Sequence, residues 1–161
     1  YAKIEGLEFS YQQQLTFLPG WSRGFGLYAN YTKLRTEGKN SAFTTGPSSS
    51  AGGTLAGFLD KTGNIGLGYR GFGFDLRLQT VYRGKYLRSN NTNAALVTWQ
   101  EPKWTWNWKS RYNFSKGLGV FLDLENMFET PLDRVYAAYP DRVTSYRTFH
   151  TKIVGGITGR F

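Results

Sequence analysis

The chain has 161 residues, a single domain's length, and with 17% Phe, Trp and Tyr, 20 Gly and 19% charged residues it is too aromatic and too sparsely charged to be disordered. No Cys and one His exclude disulfide frameworks, thiolate metal sites and cysteine nucleophiles, and leave little for acid-base chemistry. The net charge of +9, from 20 Lys and Arg against 11 Asp and Glu, needs an anionic neighbour, for which nucleic acid, lipid phosphate and an anionic solute are the candidate classes.

No apolar run approaches the length of a transmembrane helix, and no secretory signal opens the chain. Strand-like sequence begins at Tyr1 without a Met, which reads as a processed product or a piece of something longer. The dominant signal is alternation with period two, in seven segments separated by clusters of Gly, Pro, Asn and Ser. The first, about Lys3 to Leu15, places Leu7, Phe9 and Tyr11 opposite Glu8, Ser10 and Gln12. In the second, about Gly24 to Arg35, Phe25, Leu27, Ala29 and Tyr31 oppose Gly26, Tyr28, Asn30 and Thr32. The third, Lys61 to Arg70, alternates Ile65, Leu67 and Tyr69 with Asn64, Gly66 and Gly68.

The fourth segment groups Phe72, Phe74, Leu76, Leu78, Thr80 and Tyr82 on one face and Asp75, Arg77, Gln79 and Arg83 on the other. The fifth, Lys103 to Phe114, sets Trp104, Trp106, Trp108, Tyr112 and Phe114 against Lys103, Thr105, Asn107, Lys109, Arg111 and Asn113. In the sixth, Leu118, Val120, Leu122 and Leu124 oppose Phe121, Asp123 and Glu125. The seventh, about Tyr146 to Phe161, opposes Phe149, Ile153, Ile157 and Phe161 to His150, Lys152, Thr158 and Arg160.

Connector lengths alternate as strictly as the side chains do. Short links fall at Phe17 to Arg23, Gly71, and Ser115 to Gly117; long ones fall at Thr36 to Asp60, Gly84 to Pro102, and Met127 to Ser145. Short turns on one rim and long loops on the other are the pattern of a transmembrane β-barrel. Ten residues at about 3.3 Å each, tilted by about 45°, cross roughly 23 Å, near the apolar band of such a barrel. A soluble antiparallel sandwich shows the same alternation, with the apolar face as its core. Charges in mid-strand on the polar face (Asp75, Arg77, Lys109, Arg111, Asp123, Glu125) favour the membrane barrel. So do aromatic residues near strand ends on the other face (Tyr69, Phe72, Tyr82, Trp104, Trp106, Phe114, Phe161), which read as interfacial girdles. The predicted fold is therefore all-β, an antiparallel transmembrane β-barrel segment of about seven strands. Seven strands cannot be the whole of a membrane barrel: an odd count leaves the two ends on opposite rims, and an open sheet edge in hydrocarbon costs several kcal/mol per unsatisfied group, so the first and last strands are expected to pair with strands outside this sequence.

Four stretches carry a family resemblance: Gly6 to Gly20 (GLEFSYQQQLTFLPG), Gly26 to Thr32 (GLYANYT), Asn64 to Tyr69 (NIGLGY) and Leu122 to Pro131 (LDLENMFETP). The last is similar to an Asn-Leu-Phe-Asp-x-Pro motif near the end of a penultimate barrel strand. In this order they resemble the C-terminal part of a TonB-dependent outer-membrane receptor, in which a barrel of 22 strands encloses a plug. The resemblance implies that residues 1–161 are the C-terminal part of that barrel, with the plug and earlier strands elsewhere. It also implies TonB-energised uptake of a ferric siderophore, a cobalamin-like cofactor or an oligosaccharide across the outer membrane of a Gram-negative bacterium, without catalysis and without a resident cofactor. Its partners would be the remaining strands and plug, the TonB complex, the barrel-assembly machinery, and lipopolysaccharide with outer-membrane lipid. Ile157 and the terminal Phe161 resemble the C-terminal signal that the assembly machinery reads.

Other motifs carry less. Gly66-x-Gly68-x-x-Gly71 lacks the following helix that a dinucleotide fingerprint needs, and Asp60-Lys61-Thr62-Gly63 lacks the alternating α/β context of a phosphorylated aspartate. His150 has no carboxylate beside it by alternation, Ser48 to Ser50 is a loop tract without a base, and two of three glycosylation sequons (Asn30, Asn113, but not Asn90) fall in strands. Lys and Arg are scattered rather than massed, which argues against nucleic acid. Function is expected in the long loops, where Arg83, Lys85, Tyr86, Arg88, Trp99, Arg134, Tyr136, Tyr139, Arg142 and Tyr146 combine cationic forks with aromatic faces. Within that set Arg83, Tyr86, Trp99, Arg134, Tyr136, Tyr139 and Arg142 are the candidate binding residues, suited to an anionic chelate through Arg or a sugar through stacking. The alternative is a soluble, aromatic-rich β module that binds carbohydrate on Trp104, Trp106 and Trp108.

Overall fold

A computed structural model of the chain describes residues 2–38, 55–89, 91, 93–137, 139 and 141–159. Phe161 and Arg160, the Ser48 to Ser50 tract, and Asn90 and Thr92 lie outside the described residues. The described residues form eleven strands: β1 (Ala2–Gln14), β2 (Phe25–Gly38), β3 (Lys61–Gly71), β4 (Phe74–Arg83), β5 (Tyr86–Ser89), β6 (Thr98–Gln100), β7 (Lys103–Asn113), β8 (Leu118–Glu125), β9 (Asp133–Tyr136), β10 (Val143–Arg147) and β11 (Lys152–Gly159). Seven of them form one antiparallel sheet in the order β1-β2-β3-β4-β7-β8-β11, and the other four form a second sheet, β10-β9-β6-β5.

The register aligns the apolar positions of all seven long strands on one face. One row runs Leu27, Leu67, Leu78, Trp108, Leu124 and Ile153 across β2, β3, β4, β7, β8 and β11; a neighbouring row holds Leu76, Ser110, Leu122 and Gly155. The opposite face pairs Asp75 with Arg111, Arg77 with Lys109, Lys109 with Asp123, and Gln79 with Asn107. In the sheet's first strands that face is amide-rich: Ser10 donates to Asn30 at 2.8 Å, and Asn30 donates to Asn64 at 3.3 Å. One hollow of the large sheet, of about 710 Å³, is lined on the polar face by Gln12, Gln14, Tyr28, Arg70, Asp75 and Arg77.

What covers the apolar face decides between the two architectures, because a soluble sandwich would bury it against a second layer. Nothing covers it among the described residues: Leu7 is 67% exposed, Ile65 50%, Leu122 43% and Ile153 67%, and Leu78 is only half-buried. Aromatic contacts gather toward the strand ends, where Tyr82 lies 4.7 Å from Trp104, Phe25 4.9 Å from Tyr69, and Phe74 4.5 Å from Tyr112, with Phe114 following at 4.9 Å.

The short links are tight. Phe72 (φ 52°) and Gly73 (φ 82°) form the two-residue hairpin between β3 and β4, with both central residues in the left-handed region. Phe72 thus stands in the turn and not at the head of a strand as the sequence pattern has it. Gly66 of the apparent nucleotide motif sits mid-strand beneath the Tyr28 ring, which a side chain at this position would have to displace.

Three segments differ from expectation on the long-loop rim. The stretch from Tyr146 onward is not one strand: Val143–Arg147 pairs with β9, and the last strand of the large sheet starts at Lys152. The connectors Gly84 to Pro102 and Met127 to Ser145 carry strands of their own, which pair with each other. Backbone groups in a long loop must find partners, and here they find them in the neighbouring loop.

Candidate functional site

Two of the long loops contribute short strands, and these pair into one sheet. Trp99 of β6 lies opposite Leu87 of β5 on one side and Tyr136 of β9 on the other. Leu87 and Val97 are fully buried and pack with Ala56 and Trp99; Leu55, Val135 and Tyr136 are buried too. The third long loop docks onto this group through the Gly57 N–H, which donates to the Leu87 carbonyl at 2.8 Å. Burying one such Leu stabilises the assembly by about 1.5–3 kcal/mol. The loops therefore form a layer with its own dry nucleus.

The candidate binding residues divide into three groups. Trp99 and Tyr136 share one cation, with Lys85 Nζ 4.5 Å from the first ring centroid and 5.2 Å from the second. Tyr86, opposite Gln100, lines a hollow of about 250 Å³ together with Lys85 and Trp99. Tyr139 and Arg142 form a second pair, the guanidinium 5.2 Å above the exposed ring. Arg83, at the end of β4 opposite Lys103, stands apart from both groups.

Arg134 is engaged within the loop layer. Its Nη1 lies 3.1 Å from Glu101, while Asp133 takes Arg147 and, at 3.7 Å, Arg88. The sequence pattern singles out Arg88 and Arg134 and passes over Arg147, Glu101 and Asp133, although a carboxylate next to each short alternating run was the available signal. Arg142, Lys85 and Arg83 have no ion-pair partner among the described residues, and Tyr139 is exposed.

Below the loops, Asn126 (φ 55°) ties three elements together. Its N–H donates to Asn107 Oδ1 at 3.0 Å, its Nδ2 donates to the carbonyls of Thr130 and Phe149 at 3.0 Å each, and its Oδ1 accepts the Thr130 N–H at 2.9 Å. Thr151 Oγ1 donates to the Asn126 carbonyl at 3.1 Å. The motif from Leu122 to Pro131 thus ends β8, anchors the departing loop and receives the chain as it returns to β11. His150, at 3.4 Å from Glu129, is exposed. Along the polar face, ion pairs join Arg70 to Asp75 (2.8 Å) and Lys152 to Glu125 (3.3 Å), and Arg77 lies 5.9 Å from the Tyr28 ring centroid. No cluster of His, Cys, Asp and Glu among the described residues is arranged to hold a metal ion.

A family profile described as "TonB dependent receptor-like, beta-barrel" matches residues 1–127. Among solved structures, the chain is similar to a mutant of the ferric enterobactin receptor from Pseudomonas aeruginosa, with a TM-score of 0.63 and 20% sequence identity. That likeness covers 98% of this chain, and so reaches beyond the profile match, and 22% of the receptor. At this identity it concerns the fold. No curated protein sequence matches the chain.

Proposed function

The chain belongs to the TonB-dependent receptor-like β-barrel family, and from this premise we propose that residues 1–161 form the last seven strands, and the loops above them, of an outer-membrane receptor. The receptor takes up a scarce nutrient with energy from the TonB complex in a Gram-negative bacterium, and it transports rather than catalyses. The observation that carries this reading is the unbroken apolar face on seven consecutive wall strands, exposed and uncovered, backed by a polar face with charges in mid-strand. Only a lipid surround makes such a face favourable without a second layer.

The rest of the assembly follows from the edges. β1 and β11 each hydrogen-bond along one side within this chain, so the remaining barrel strands pair with both. A plug fills the lumen against Asp75, Arg77, Lys109, Arg111 and Asp123, whose mixed charges hold a polar domain by hydrogen bonds that a small displacement can exchange for water. The barrel-assembly machinery recognises the terminal strand through Ile157 and Phe161.

For the solute we favour an anionic chelate of the ferric-siderophore class over a cobalamin-like cofactor or an oligosaccharide. Two loop cations, Lys85 and Arg142, lie over aromatic faces without a carboxylate partner among the described residues, an arrangement that offers charge and stacking to a planar anion. The test is uptake of radiolabelled iron by cells carrying the receptor as their only siderophore route, with and without TonB. TonB-dependent accumulation supports the reading, and accumulation of labelled oligosaccharide instead reassigns the solute.

A further inference from the structure

The two sheets are related strand by strand. In the wall the last four strands stand in the order β4-β7-β8-β11, and the loop sheet, taken in the same direction, reads β5-β6-β9-β10. β5 follows β4 after Gly84 and Lys85, β6 runs into β7 through Glu101 and Pro102, β9 follows β8 after residues 126–132, and β10 leads into β11 through residues 148–151. Each strand of the loop sheet is therefore the continuation of one wall strand past the rim, and it pairs with the continuation of that strand's wall neighbour. Backbone hydrogen bonds carry the ladder across the joints: the Gly84 N–H donates to the Lys61 carbonyl at 2.8 Å, Met127 to Trp106 at 2.9 Å, Glu101 to Arg134 at 2.9 Å and Leu132 to Arg147 at 2.8 Å. The rule reaches β3 as well, because the segment preceding that strand meets the outer edge of β5 through Gly57 and Leu87. At the opposite end it stops: β10 and β11 are both edge strands, and neither has a partner on its far side among the described residues.

We propose that the barrel strand which pairs with β11 continues past the rim as a strand on the free edge of β10. The proposal rests on the membrane-barrel reading above. Neighbouring strands of such a wall are antiparallel, so the partner of β11 ends beside Lys152, and the residues that follow it rise beside β10. β10 is fit to receive them. Exposed sheet edges are commonly blunted by Pro, Lys or an inward-pointing charge. Val143 to Arg147 has no Pro and no Lys, and its one charge, Arg147, is held by Asp133 of β9. A register shift between Val143 and Ser145 lies at the end away from β11. Val143 and Tyr146 are exposed, as is Phe149 in the joint below, and a strand laid alongside covers apolar surface while it gives the edge's backbone groups their partners. The pairing sets the loop that this strand enters beside the turn between β9 and β10, where Tyr139 and Arg142 stand, so one side of the candidate solute site comes from outside residues 1–161.

The test is cysteine cross-linking in the full receptor in outer membranes, which is clean here because residues 1–161 contain no Cys. Tyr146→Cys is combined with single cysteines placed one after another along the segment that follows the strand closing the barrel on β11. A disulfide needs Cα atoms within about 7 Å, so Tyr146→Cys is expected to link to one or two neighbouring positions, and Val143→Cys to positions a few residues farther along, as antiparallel pairing requires. Absence of any such link overturns the proposal, and so does a disulfide joining Tyr146→Cys of two receptors, which gives the edge to a second copy. Val154→Cys in β11, scanned against the closing strand itself, reports the barrel separately: links there without links at β10 overturn only this proposal, whereas none at either place overturns the barrel reading too. Hydrogen exchange of the unsubstituted receptor, resolved residue by residue, guards against variants that fail to assemble. All amides of Val143 to Arg147 are expected to exchange at least about tenfold more slowly than free peptide; exchange of alternate amides at the free-peptide rate leaves the edge open to water and overturns the pairing.

Discussion

The wall of seven strands and the layer of four strands above it solve opposite problems with the same residue types. Leu122, in mid-wall, is 43% exposed and sits on a face that no protein element covers, while Leu87, in the loop layer, is 0% exposed and packs on Val97 and Trp99. The middle of the wall keeps its charges on one face and its apolar groups uncovered on the other, whereas the loop layer keeps apolar groups inside and its charges on its surface, as a soluble domain does. The difference teaches that each half of one hairpin answers to the solvent at its own height, so a substitution in one region should leave the other standing.

The largest expected effect tests that independence directly. Leu87→Ala should cost the loop layer about 2–5 kcal/mol, because it empties a fully buried site, and it should open the loops to protease on intact cells and abolish solute binding. The barrel should keep its heat-modifiable mobility; loss of that mobility would show that the layers fold as one unit. Leu78→Arg is the converse. Near the middle of the wall it should cost about 2–4 kcal/mol in denaturant unfolding from liposomes and lower the amount of receptor in the membrane, with unchanged solute affinity in the molecules that assemble.

Asn126→Ala probes the joint between the regions. It strands the Thr130 N–H and the carbonyls of Thr130 and Phe149 and should cost about 1–3 kcal/mol, with faster hydrogen exchange at both the loop base and the start of β11. Protection lost at only one of the two would reduce Asn126 to a simple turn residue. The smallest effect on stability is expected from Arg134→Ala, within about 1 kcal/mol because the Glu101 pair is half exposed to water. Solute affinity should fall much more for Arg142→Ala with Tyr139→Ala than for Arg134→Ala, measured by ligand titration of the purified receptor; the reverse order would return the binding role to Arg134.

The sequence carried the wall almost completely. Trp104, Trp106 and Trp108 on one face with Lys109 and Arg111 on the other leave one way to place an antiparallel strand, and the alternation of short and long links orders the strands and orients them. Alternation also made Arg77 and Asp123 recognisable as lumen charges before any pairing was known. The loop layer was less legible. Tyr86 to Ser89, Thr98 to Gln100 and Asp133 to Tyr136 are only three or four residues long, below the length at which a period of two stands out from chance, and their partners lie in a different loop. The candidate residues Trp99 and Tyr136 were found as chemical types, but their sharing of Lys85 was not visible, and neither was the capture of Arg134 by Glu101.

What the sequence by itself determined is everything that depends on the chain's local period: strand existence, the face each side chain takes, the lengths of the links and the division of the molecule into wall and loops. What only the tertiary structure decided is what depends on register between distant segments. Lys33 and Lys61 are 28 positions apart, and only the hydrogen-bond ladder between β2 and β3 sets them directly opposite each other. Likewise β6 meets β9 because two loops, each with unpaired backbone groups and a few apolar side chains, satisfy both needs at once by pairing. A backbone pleat fixes direction residue by residue, but a cross-strand partner is chosen by the free energy of the whole sheet, and no single segment contains that information.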